Sequence, residues 1–278
     1  MLSEPEAAYE SAASAFLESL GKNRLAPLWF VKDLTPEQMH TLTQEDNLIV
    51  SIGMRAVRFV SEHHAGRAAV LGMMVPKTSV EKIAWRSELG AGRLAFIYID
   101  QPVERSLALL AALMPGRERI GVIVSQENAD VLKALSREVD RRGLMLRSAI
   151  VENIGAVGPA LRRVLTDSEV ILLVPDALVL SSANLQSLLM ASYRARVPVL
   201  GFSPGLVKAG AVAAVFSSPE QIGWQGGNMA RRWQTGGSLP PSQYATRFSM
   251  DINDYVARSL GLTLPPEAEV AKELGARN

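Results

Sequence analysis

Four short stretches of this 278-residue chain put small or polar residues where an apolar run gives way to a helical pattern. They are Ser51-Ile52-Gly53-Met54-Arg55, Ser125-Gln126-Glu127-Asn128, Pro175-Asp176-Ala177 and Phe202-Ser203-Pro204-Gly205. Each reads as a buried strand feeding a helix N-terminus, whose orphan N–H groups and positive dipole end suit an anion. The amides of Gly53 to Arg55 and of Gln126 to Asn128 could hold a carboxylate, and Asp176 could accept from an ammonium. Helix capping by Ser51, Ser125 or Asn128 accounts for any single residue equally well. The agreement of four loops carries more weight. A fifth pair, Asp100-Gln101, ends the run Phe96 to Ile99 where the chain should pass from one lobe to another, although Pro102 could simply open the next helix there.

Other chemistries find little support. Adjacent His63 and His64 point about 100° apart on a helix, and the third histidine is His40, so a solvated helix end is expected rather than a metal site. With no cysteine there is no disulfide, thiolate zinc site or cysteine nucleophile. Ser51-Ile52-Gly53 lacks the order of a nucleophile elbow, and neither Gly226-Gly227 nor Gly236-Gly237 follows a strand as a phosphate loop would. No catalytic residue, metal or cofactor is expected. A net charge of +1 gives no electrostatic reason to expect nucleic acid as a partner. No apolar run approaches the roughly 20 residues of a membrane span, and Met1-Leu2-Ser3-Glu4-Pro5 is not a secretion signal.

The elements that would hold these loops alternate. A helix is expected over Ser3 to Leu20, with Ser3 or Glu4 at its cap. Strands are expected at 28–31, 48–52, 69–75 and 94–99, with helical stretches at 35–43, 55–64 and 78–88 between them. A second series has strands at 120–124, 144–151, 170–174, 197–202 and 211–216, with helices at 129–142, 157–165 and 182–195. The tail adds a helix over 219–233, a Gly/Pro/Ser-rich stretch over 236–244, a strand over 246–252 and a last helix over 253–260. Two Rossmann-like parallel sheets in an α/β chain fit this better than one ten-stranded sheet or a TIM barrel.

Ile97-Tyr98-Ile99-Asp100-Gln101-Pro102, Arg119-Ile120-Gly121-Val122, Ser125-Gln126-Glu127-Asn128, Val174-Pro175-Asp176 and Arg196-Val197-Pro198-Val199-Leu200-Gly201 resemble the substrate-binding proteins of ABC importers related to tryptophan- and tyrosine-binding lipoproteins. The resemblance extends to Gly210-Ala211-Val212, Ile252-Asn253 and Leu260-Gly261-Leu262-Thr263-Leu264-Pro265. It implies a type I periplasmic-binding-protein fold, two lobes joined by three crossings, here 1–100 plus 217–244 and 101–216 plus 245–278. It also implies a non-enzymatic monomer outside the cytoplasm that takes a small molecule between its lobes and delivers it to a membrane permease. An aromatic amino acid or related carboxylate is the candidate ligand, and a ligand-sensing ectodomain of the same fold is the alternative. The ligand-binding positions implied are Ser51, Gly53, Met54, Arg55, Pro76, Asp100, Gln101, Ser125, Gln126, Asn128, Asp176, Ala177, Phe202, Ser203 and Phe216. Met54-Arg55 departs from the small residue and threonine usual there, which weighs against an amino-acid ligand. Relatives also carry a strand ahead of the Leu-Ser-Glu found at Leu2-Ser3-Glu4, so the first sheet is expected to lack its first strand.

Overall fold

A computed structural model describes residues 1–21, 27–44, 46–85 and 89–276. Its elements begin with α1 (Ala7–Leu20), α2 (Pro36–Gln44), β1 (Leu48–Ile52), α3 (Met54–His63), β2 (Ala69–Val75), the single turn α4 (Lys77–Val80) and β3 (Leu94–Tyr98). There follow α5 (Val103–Leu113), β4 (Arg119–Ser125), α6 (Ala129–Arg141), β5 (Met145–Val151), α7 (Val157–Thr166), β6 (Val170–Leu172), α8 (Ser182–Arg194), β7 (Val199–Gly201), α9 (Pro204–Ala209) and β8 (Ala213–Phe216). The chain ends with α10 (Pro219–Gly236), β9 (Gln243–Tyr244), β10 (Ser249–Ile252), α11 (Asp254–Ser259) and α12 (Glu267–Leu274). Two compact units result, Met1–Asp100 with Ser217–Phe248 and Gln101–Phe216 with Ser249–Asn278, and the chain passes between them at three places.

Unit 1 is built on a parallel sheet in the order β1-β2-β3-β9. β2, Ala-Val-Leu-Gly-Met-Met-Val, is buried along its whole length, as a central parallel strand covered on both faces must be. Its glycine, Gly72, leaves room for the Phe96 ring, which a Cβ would meet at 2.5 Å. Ala12, Phe16, Leu71, Met73, Ile97 and Ile222 form the buried cluster to which α1 and α10 contribute, while Val57 of α3 packs with Val75 and Phe96 in another. α10 is started by a reciprocal cap: the Gln221 amide donates to Ser218 Oγ at 3.2 Å, and the Ser218 amide donates to Gln221 Oε1 at 2.9 Å.

The start of unit 1 departs from the helix expected over Ser3 to Leu20. Met1 to Ser3 is drawn into the sheet: Leu2 forms parallel bridges to both Phe30 and Ile52, with its amide on Trp29 O at 2.8 Å and its carbonyl taking Val31 N at 3.0 Å. α1 therefore begins at Ala7, and the hydroxyl expected to cap it, Ser3 Oγ, takes the Ala56 amide of α3 at 2.9 Å. Of the strand expected at 28–31 only Phe30 is bridged, because Val31 opens a 3-10 turn. The helix expected from Thr78 is the short α4, and its continuation to Glu88 reaches residues outside those described. His64 is not at a solvated helix end: it is 2% exposed, 2.8 Å from Ala68 O through Nε2, with its ring edge-on to Trp85.

Unit 2 holds a six-stranded sheet in the order β10-β8-β7-β6-β4-β5, in which β10 alone runs antiparallel. Its core gathers Ile123, Leu161, Ile171, Leu188, Val199 and Leu206. The strand expected from Thr246 starts only at Ser249, because Thr246 donates through both N and Oγ1 to Gln225 Oε1, at 2.7 and 2.9 Å, within unit 1. Asn253 then caps α11, taking the Val256 amide at 3.0 Å. With the strands divided between two sheets, the architecture is not a barrel.

Candidate functional site

Because β1, β2, β3 and β9 are parallel, their C-terminal ends lie on one edge of the unit 1 sheet, where open α/β sheets place ligands. Ser51, Gly53, Met54, Arg55, Pro76 and Asp100 all occupy this edge. Ser51 Oγ is buried without a hydrogen-bond partner among the described residues. Gly53 holds φ 88°, ψ 161°, a conformation essentially restricted to glycine, and a Cβ there would lie 2.5 Å from Ser3 Oγ and 2.9 Å from Tyr9 Cζ. Gly53→Ala is thus expected to cost about 2–4 kcal/mol in a urea melt, combining backbone strain with overpacking; a loss under about 0.5 kcal/mol would show that this turn is soft.

In the first turn of α3, Ser3 Oγ takes the Ala56 amide and Gly53 O takes the Val57 amide, so the donors outside these bonds are the amides of Met54 and Arg55. The Met54 side chain packs with Val57 and Phe96, and Arg55 is exposed with its guanidinium 3.5 Å from Glu4. At the end of β2, Met74 adopts φ 55° where the pairing with β3 shifts register between Met73 and Val75. Pro76 then leads into α4, whose first amide, Lys77 N, donates to Asp100 Oδ2 at 2.5 Å and ties the β2 and β3 ends together. Burial raises the Asp100 pKa despite that bond. Lys77 Nζ lies 5.6 Å from the Tyr244 ring centre and 6.0 Å from that of Tyr98, and the two rings meet edge to face at 5.4 Å.

In unit 2 the ends of β4, β6, β7 and β8 share an edge in the same way. The organiser is Asp176, 4% exposed. Its Oδ2 accepts from Ser125 N at 2.6 Å and Asn128 Nδ2 at 2.9 Å, and its Oδ1 accepts from Leu178 N and Val179 N at 3.1 Å each. Burial pushes this carboxyl up, but the bonds from Asn128, Ser125 and Val179 outweigh it and hold its pKa below the ordinary value. Asn128 does not cap α6 with its side chain; it braces Asp176 instead. Gln126 and Ala177 are exposed beside these buried groups. Ser203 caps α9, its Oγ taking Leu206 N at 3.3 Å, while Phe202 packs against the unit 2 core. Phe216 is the last residue of β8, paired with Ser249, and Gln101 Oε1 accepts from Arg105, whose pKa burial lowers to about 10.

The structure thus brings Ser51, Gly53, Met54, Arg55, Pro76 and Asp100 to one sheet edge and Ser125, Gln126, Asn128, Asp176, Ala177, Phe202, Ser203 and Phe216 to another. It adds Tyr98 and Tyr244, which the sequence reading passed over. Tyr98 was hidden inside an apolar run, and Tyr244 sits in a Gly/Pro/Ser-rich stretch whose short β9 carried no alternation to find. Among the described residues no group of three His, Cys, Asp or Glu could hold a metal ion.

Two units with C-terminal sheet edges bearing loops of this kind define the type I periplasmic-binding-protein architecture. The chain belongs to the ABC transporter substrate binding protein family, whose model matches residues 96–273. No curated protein matches it. Among solved structures it is similar to the ABC domain from Streptococcus pneumonia in complex with L-Trp, at 16% identity and a TM-score of 0.66 over 99% of this chain and 97% of that one. It is also similar to a ligand-free, open substrate binding protein with adhesive properties from Clostridium difficile, at 18% identity and a TM-score of 0.76 over 95% and 94% of the two chains. A conserved domain protein from Vibrio cholerae is similar at 20% identity and a TM-score of 0.65, covering 98% of this chain and 96% of that one. At these identities the likeness shows the fold.

Proposed function

We propose that this chain is the solute-binding component of an ABC importer, outside the cytoplasm, taking a small ligand at the sheet-edge loops and handing it to a membrane permease. The observation that supports the reading is that, in a chain of this family, Ser51, Gly53 and Asp100 lie at the C-terminal sheet edge of unit 1, and Asn128 and Asp176 at that of unit 2. Amides of Met54 and Arg55 at a helix start suit a carboxylate. The Asp100 carboxylate, under-compensated by its own surroundings, suits an ammonium. Together they favour a zwitterion or an aromatic acid, the latter with Tyr98 and Tyr244 as a stacking surface. Among the described residues no helix is long and apolar enough to cross a membrane.

Isothermal titration against aromatic amino acids and a wider metabolite panel tests the reading. Binding is expected for at least one zwitterion or aromatic acid, weakened tenfold or more, about 1.4 kcal/mol, by Asp100→Asn if that ligand carries an ammonium. Because cation capture needs the ionised carboxylate, affinity for such a ligand should also fall as pH drops through the raised Asp100 pKa. A folded protein that takes up no small molecule would defeat the proposal.

A further inference from the structure

Unit 2 leaves one long strand open on its side. β5 closes the sheet beyond β4 and pairs with no other strand, over the seven residues Met145 to Val151 and without a break in register. Its backbone polar groups divide strictly between two directions. Met145 N donates to Glu118 O at 2.8 Å, so Met145, Arg147, Ala149 and Val151 bond inward to β4, while the N–H and C=O of Leu146, Ser148 and Ile150 point away from the sheet. Ser148 is exposed, as are Met145 and Ile150, and Ile154 lies uncovered just beyond the strand end.

Such an edge is a template for another strand, and proteins ordinarily blunt it with proline, lysine, a bulge or a short length. Met-Leu-Arg-Ser-Ala-Ile-Val has none of these. Its one charge, Arg147, is held by its own unit, donating through Nε to Asp167. Other sheet ends among the described residues are bridged or short: Leu2 bridges Ile52 of β1, β9 has two residues and β10 four.

The edge is complementary to itself. Ser148 is the midpoint of β5 and belongs to the set whose polar groups face outward, so an antiparallel two-fold about it uses the whole strand. Ser148 then meets Ser148, and Leu146 meets Ile150 in each direction, an apolar cross-strand pair on either side of a small residue at the axis. One step further out Leu144 faces Glu152. This sets Glu152, exposed and without an ion pair among the described residues, diagonally beside the exposed Arg142 of the second copy, twice by symmetry. The two Arg147 side chains become diagonal neighbours, each neutralised by its own Asp167.

We propose that β5 is a dimerisation edge, at which two copies of this chain join antiparallel about Ser148 and make their six-stranded sheets one continuous sheet. A second copy fits better than a foreign strand, because one contact covers two open edges in a register that the strand's own midpoint fixes. The dimer replaces the monomer that the family resemblance implies. Its contact lies wholly in unit 2 and does not depend on the proposed import role.

Sedimentation velocity of the full chain from about 1 to 300 µM tests this, with hydrogen exchange measured at both ends of the range. The chain should pass from monomer to dimer with a Kd of about 100 µM or tighter. Exchange at the Leu146, Ser148 and Ile150 amides should slow at least tenfold at the upper end, and the amides of Arg147 and Ala149, already bonded to β4, should change less. Ser148→Pro removes a donor on the solvent side of an edge strand, where proline is tolerated, and Ile150→Lys places a charge on the edge. Each should weaken dimerisation tenfold or more while Tm stays within roughly 4 °C of the parent. If Ser148→Pro fails to fold, Ile150→Lys and the exchange rates decide. A parent that stays monomeric throughout would overturn the proposal and leave the edge to a strand of another protein. A dimer that Ile150→Lys leaves intact, or one whose Leu146, Ser148 and Ile150 amides exchange as in the monomer, would overturn it too.

Discussion

Gly223→Ala is expected to be among the most destabilising single-methyl changes available in unit 1. Gly223 faces α1 at backbone distance: a Cβ there would lie 2.1 Å from Ala12 O and 2.9 Å from its carbonyl carbon. Helix propensity favours alanine by about 1 kcal/mol, and if it dominated the variant would gain stability. The obstacle, however, is main chain rather than a flexible side-chain tip, so the helices must separate. Overpacking of this kind costs about 1–3 kcal/mol and sometimes more, and separation would also loosen the buried contacts of Phe16 and Ile222. A net loss of about 2–4 kcal/mol is expected, read as a Tm lower by roughly 5–15 °C. Gly236→Ala is the control, since that glycine lies in the same helix with nothing within 4 Å of a Cβ. It should be neutral or slightly stabilising. If the two variants melt together, close packing of α1 on α10 is not what fixes this glycine.

Asp176→Ala should have a comparable effect on unit 2 and a larger one on the candidate site. Four donors lose their acceptor: the amides of Ser125, Leu178 and Val179, and the Asn128 side chain. Each orphaned buried donor costs about 1–3 kcal/mol, and partial relaxation of the loops should leave a loss of about 3–5 kcal/mol. Asp176→Asn keeps the volume and one acceptor oxygen but turns an NH2 toward two donors, so an intermediate loss is expected. The pH dependence follows from the direction of the shift. A carboxyl held below its unfolded value of 3.8 contributes stability that is present above that pH and is lost as pH falls through the folded pKa. Urea midpoints measured at neutral and acid pH should therefore show a smaller acid loss in Asp176→Asn than in the parent. An unchanged acid limb would mean that other carboxylates control it.

Much of the fold was legible because buried parallel strands write themselves as short apolar runs. Leu48–Ile52 and Ala69–Val75 have the extents expected of them, β3 differs from expectation by a residue at one end, and β4 is longer by a residue at each end. Elements fixed by distant partners were not legible. β9 is two residues long and exists because Tyr98 pairs with Tyr244. Nor did the 211–216 run show that β8 would recruit β10 as an antiparallel neighbour. α9 and α12 were missed because six and eight residues carry too little periodicity. At the candidate site, residue types at strand ends located the loops but not the division of labour. Asp176 looked like a ligand acceptor, yet both its oxygens are occupied by its own unit, a fact that depends on Leu178 and Val179 folding back over it.

The packing of α1 on α10 also bears on how the protein is made. Leu20 ends one helix and Pro219 starts its partner, so at about 5–20 residues per second the ribosome supplies the second roughly 10–40 s after the first. Through that interval Phe16 and the β2 methionines have no α10 to cover them. Unit 2 is likewise incomplete until β10 follows the third passage between units. Vectorial folding, one unit finished before the next is synthesised, is closed to this topology. The apolar faces of both units therefore stay uncovered until nearly all of the chain has emerged, and each unit can close only when synthesis is almost complete.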